Sequence, residues 1–90
     1  MASRTVTVGS SVGLHARPAS LFAQAAAAAG LPVTIARPGA DPVNAASVLS
    51  VLSLGVEHGE QVVLHADGDG ADAVLDSLEA VLNTDHDASA

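Results

Sequence analysis

A chain of 90 residues that is 49% hydrophobic has room for one small core, and that core must be aliphatic, because Phe22 is its only aromatic residue. The absence of Cys excludes disulfides, thiolate chemistry and Cys-based zinc sites. Three Arg and no Lys against ten Asp and Glu give a net charge of −7, which argues against nucleic-acid binding through a basic patch and excludes a Walker-type phosphate loop and any Lys base or Schiff base.

The first expected strand covers residues 4–8, with Val6 and Val8 on one face. Gly9 to Gly13 reads as a loop. Residues 16–29 read as a helix, because Ala is the best helix former and Ala19, Phe22, Ala23 and Ala26 recur at helical spacing. Gly30 and Pro32 stop it. Residues 33–37 form the second strand. The Pro38-Gly39 turn leads into a short third strand at 40–44, which Pro42 consigns to a sheet edge. Residues 47–54 read as a short helix ending at Gly55. Residues 60–66 alternate, with Val62 and Leu64 on one face and Val63 and His65 on the other. The last helix spans 71–83, striped by Val74, Leu75, Leu78, Val81 and Leu82, with Asp69 or Asp72 as the expected cap. Residues 1–84 are expected to form one domain and 85–90 a flexible tail. The order β-α-β-β-α-β-α suits helices layered on one face of a four-stranded sheet, an α+β architecture.

The sharpest local feature is Gly13-Leu14-His15-Ala16-Arg17-Pro18-Ala19-Ser20. Pro is tolerated in the first turn of a helix, so Pro18 marks a helix start. A residue before Pro disfavours the α conformation, so the start falls at either Ala16 or Pro18, with Arg17 as cap in the second case. Backbone N–H groups at Ala16 and Arg17 then lack intrahelical partners and point, with the positive end of the helix dipole, toward an anion beside His15. Arg17 adds a planar fork suited to phosphate. A neutral imidazole is a good nucleophile near neutral pH, and a helix N-terminus favours that neutral form. Once phosphorylated, the ring is anionic and is attracted by the same dipole. The same residues also fit a His that caps a helix beside a surface Arg, and spacing alone leaves both readings open.

This string resembles the active-site signature of HPr, the histidine-containing phosphocarrier of the bacterial sugar phosphotransferase system. The resemblance continues at Val43-Asn44-Ala45-Ala46-Ser47-Val48-Leu49 and Ser53-Leu54-Gly55, and covers residues 4–83. It implies an open-faced β-sandwich, with a four-stranded antiparallel sheet of order 1-4-2-3 and three helices on one face. It implies that His15 accepts a phosphoryl group at Nδ1 from enzyme I, charged by phosphoenolpyruvate, and passes it to sugar-specific enzyme II A components. Arg17 would stabilise the phosphate. The chain would then be a transfer intermediate, not an enzyme with turnover, and would need no metal or cofactor. Other readings are a nitrogen-related or dihydroxyacetone-kinase-branch carrier of the same fold, or a regulatory interaction domain without phosphoryl flux.

Ser47 falls at the family's regulatory serine, where a serine kinase/phosphatase acts in many relatives. The plainer reading is an ordinary N-cap, and Ala46 stands where relatives have a basic residue. The resemblance assigns partner docking to Ser20, Val48, Leu49 and Leu52. Val48 or Leu49 is expected to face solvent, and Val51 and Leu54 to be buried. Val12 replaces a polar residue of many relatives, and Gln24, Ala27 and Ser50 replace basic ones, so apolar contact and Arg17 must define the interface. His58 and His65 have no metal-ligand spacing, and the Asp67-Gly68-Asp69-Gly70 run lacks the later positions of a calcium loop. No run of eighteen apolar residues and no secretory pattern occurs, so the expectation is a cytoplasmic protein, and the resemblance implies a monomer.

Overall fold

The structure is a computed structural model that describes residues 2–9 and 16–83. The expectations for 10–15, His15 among them, and for the tail from 84 onward lie outside the described residues.

Strand β1, Ala2–Thr7, alternates, so that Val6 is buried while Ser3, Thr5 and Thr7 face solvent. It pairs antiparallel with β4, Gln61–Ala66, setting Arg4 opposite Leu64 and Val6 opposite Val62. β4 pairs in turn with β2, Val33–Ala36, where Ile35 meets Leu64. β3, Val43–Asn44, closes the other edge, giving the antiparallel order β1-β4-β2-β3. Val8 lies outside the first strand as bounded, yet it stays buried and exchanges backbone hydrogen bonds with Glu60 and Gly59. β2 stops at Ala36 because the Arg37 carbonyl accepts from the Ala40 N–H across a turn, with Gly39 at φ +80°, a conformation other residues rarely adopt. That turn and Pro42, which has no N–H, cut the third strand to two residues rather than the expected five.

Three helices, α1 (Ala16–Ala28), α2 (Val48–Ser53) and α3 (Ala71–Asn83), cover one face of the sheet. α1 packs on α2 and α3, and α3 also lies on β1 and β4. The α1 stripe of Ala19, Phe22, Ala23 and Ala26 is buried as its spacing predicts, and Leu75, Leu78 and Leu82 of α3 meet it over Val6, Ile35, Val62 and Leu64. Val74 and Val81 are only partly buried at the rim. The α3 cap differs from expectation. Gly70 occupies the N-terminal flank, its carbonyl accepting from the Val74 N–H. Asp72 lies inside the first turn, where its charge complements the dipole without capping. Arg4 has the inward register of Val6, but at the sheet edge its long side chain reaches past the core to pair with Asp76 and Glu79 of α3. No described helix is long and apolar enough to cross a membrane.

Candidate functional site

α1 begins at Ala16, so Pro18 is its third residue and the expected alternative start at Pro18 does not hold. Pro tolerates this position because an N–H there has no intrahelical acceptor. The N–H groups of Ala16 and Arg17 likewise have none, and no acidic residue lies in this first turn to offset the positive end of the dipole. Arg17 is exposed, and no ion pair with a described residue holds it. The other two arginines are both engaged: Arg4 with Asp76 and Glu79, Arg37 with Glu60. His15 immediately precedes Ala16 in sequence but lies outside the described residues.

α2 adjoins α1. The chain enters it through a tight turn in which the Asn44 Oδ1 accepts from the Ala46 N–H at 3.0 Å and the Asn44 carbonyl accepts from the Ser47 N–H at 3.2 Å. Ser47 is extended (φ −103°, ψ 115°), and its Oγ accepts from the Ser50 N–H at 3.3 Å. It is therefore an N-cap in geometry. Leu49 is 80% exposed, Val48 and Leu52 are half-buried, and Val51 is fully buried. Leu54, expected in the core, is only half-buried: it caps the C-terminus of α2, and its carbonyl is drawn outward to Arg37. Ser20 is half-buried on α1, its Oγ accepting from Gln24 Nε2 at 3.2 Å.

Two positions escaped sequence reasoning. The Arg37 guanidinium donates to the Leu54 carbonyl (2.7 Å), the Gly55 carbonyl (2.6 Å) and both Glu60 oxygens (2.9 and 3.2 Å). The Glu60 carboxyl is held below the usual carboxylate range, first by the Arg37 hydrogen bond and then by the Glu57 N–H. Gly9 donates its N–H to the Leu82 carbonyl at 2.9 Å, fixing the point from which residues 10–15 depart.

A model of the family described as the PTS HPr component phosphorylation site matches residues 2–84. The chain is 58% identical over 78 residues to the phosphocarrier protein HPr of Streptomyces coelicolor, covering 87% of this chain and 84% of that one. The crystal structure of HPr from Bacillus anthracis superposes with a TM-score of 0.84 at 32% identity, covering 90% of this chain and 95% of its own. An HPr from Thermoanaerobacter tengcongensis described as a dimer superposes with a TM-score of 0.67 at 34% identity, covering 90% and 92%.

Proposed function

Because the chain belongs to the HPr family of phosphocarrier proteins, we propose that His15 is the residue that takes the phosphoryl group and that Arg17 and the free N–H groups of Ala16 and Arg17 stabilise it. The carrier role in the phosphotransferase system follows from the family, and so does the lack of an independent catalytic turnover. The observation that carries the residue assignment is Arg17: it is exposed, unmatched by any described carboxylate, and set in a helix first turn free of acidic residues. A phosphoryl group on His15, two residues before Arg17 in sequence, would meet a planar cation and the positive end of a 13-residue helix. Transfer between two protein nucleophiles needs chiefly positioning and charge stabilisation.

In this reading enzyme I donates to His15, and enzyme II A components receive from it. Ser20, Val48, Leu49 and Leu52 form the docking surface, with Leu49 as its apolar centre. Ser47 borders that surface. A phosphate there would sit at the start of α2 and set about two negative charges against an approaching partner. The carrier acts as a monomer, which sedimentation at assay concentration tests.

Incubation with enzyme I, phosphoenolpyruvate and Mg²⁺ should give an acid-labile, base-stable adduct. His15→Ala should give none, and Arg17→Ala should fold yet transfer slowly. Label on the His15→Ala chain would reject the assignment. Leu49→Ala should weaken acceptance at low carrier concentration while leaving the fold intact.

A further inference from the structure

α2 has only six residues, and helices this short do not hold themselves together in water. Its start is secured locally by the Ser47 cap. Its end is different. The Leu54 and Gly55 N–H groups turn back to Val51 and Leu52 at 3.2 Å, Gly55 takes φ +62°, and no basic residue lies in the last turn to meet the free carbonyls. The cation that does meet them comes from 17 residues away, just past the end of β2.

We propose that Arg37 is a positioning residue for partner docking, one guanidinium that joins the end of β2 to the C-terminus of α2 and the start of β4 and thereby sets how α2 presents Leu49. The proposal rests on the reading of α2 as the docking surface. Nε and Nη2 take the Leu54 and Gly55 carbonyls, while Nη1 and Nη2 take the two oxygens of Glu60. Glu60 is itself steadied, because its Oε1 also accepts from the Glu57 N–H at 2.8 Å. The sheet-side anchor is firm: Ala36, the residue before Arg37, is 5% exposed and pairs with Val63 of β4.

Only a planar fork meets two carbonyls and a carboxylate from one stem, so Lys cannot reproduce the arrangement. The Arg37 side chain is 37% exposed and lies outside the aliphatic core. Its removal therefore frees one end of α2 without breaking the sheet ladder. A loosened α2 keeps the chemistry at the α1 start but presents Leu49 over a spread of positions, which weakens encounter complexes rather than the transfer step.

The test varies the concentration of the whole carrier in the enzyme I assay for wild type, Arg37→Ala, Arg37→Lys, Glu60→Gln and Arg4→Ala, the last losing the same charge at α3. Arg37→Ala should raise the KM for the carrier about fivefold with kcat within about twofold of wild type. Arg37→Lys should recover only part of this. Glu60→Gln, which leaves both carbonyl contacts but weakens the hold on the guanidinium, should fall between wild type and Arg37→Ala, and Arg4→Ala should match wild type. Amide exchange should quicken at Leu54 and Gly55 in Arg37→Ala while the β1–β4 amides keep their protection. A loss in kcat alone, a KM shared by Arg37→Ala and Arg4→Ala, or unchanged exchange at Leu54 and Gly55 overturns the proposal. A wild-type chain that takes no label overturns the carrier reading and this proposal with it. Normal labelling of wild type beside an unaffected Arg37→Ala overturns this proposal alone.

Discussion

Gly9 lies against the backbone of Asn83, the last residue of α3, so closely that a Cβ on it would collide with the Asn83 carbonyl oxygen and come 2.9 Å from the carbonyl carbon. The Gly9 N–H meanwhile donates to Leu82. The segment just past β1 and the end of α3 are thus locked together backbone to backbone. Gly9→Ala should cost about 1–3 kcal/mol, the scale of overpacking a filled site. Urea denaturation checks this, and a midpoint equal to wild type would show that the last turn of α3 yields.

Phe22 is fully buried and touches the helix–sheet core with no second aromatic to share its volume. Phe22→Ala should cost about 3–5 kcal/mol. In a domain of this size, that lowers Tm by more than about 12 °C. Scanning calorimetry that found a smaller drop would mean the aliphatic neighbours collapse into the space.

Ser47→Ala removes the oxygen that accepts from the Ser50 N–H and should cost about 1 kcal/mol. Ser47→Asp keeps an acceptor and adds a charge that suits a helix start, so its stability should match wild type. The two urea curves should separate; coincident curves would remove the cap from the account of α2.

Glu60 has a folded pKa below its unfolded one, with Arg37 as the main cause. In the acid range below the ordinary carboxylate value the unfolded chain binds the extra proton first, so stability rises with pH there. The contribution is fully present above the unfolded pKa and is lost as pH falls through the folded one. Glu60→Gln should flatten that part of the stability–pH curve, with Glu57 and His58 left in place nearby. Parallel curves for the two chains would show that the pair adds nothing measurable.

The element order was readable because each segment obeys one period: four Ala and Phe positions at helical spacing in α1, strict alternation in β4. Strand ends were less so, since β2 is cut by the Arg37–Ala40 turn and β3 by that turn together with Pro42. The motif around His15 and Arg17 stood out because Pro18 and the Ala-rich run mark a helix start. Arg37 did not, because its partners are 17, 18 and 23 residues away and no local spacing connects them. Leu54 misled for the same reason: apolar character suggested burial, while its carbonyl answers to a distant cation. Gly9 looked like any loop glycine until α3 was seen to end against it.

Two of the three positive side chains are spent on internal partners, Arg4 on α3 and Arg37 on Glu60, in a chain of net charge −7. An acidic protein that comes within about 10 Å of this one meets mutual repulsion, relieved close to Arg17. Added salt screens that repulsion, so with such a partner the association rate should climb with ionic strength, the reverse of the pattern for two proteins of opposite charge.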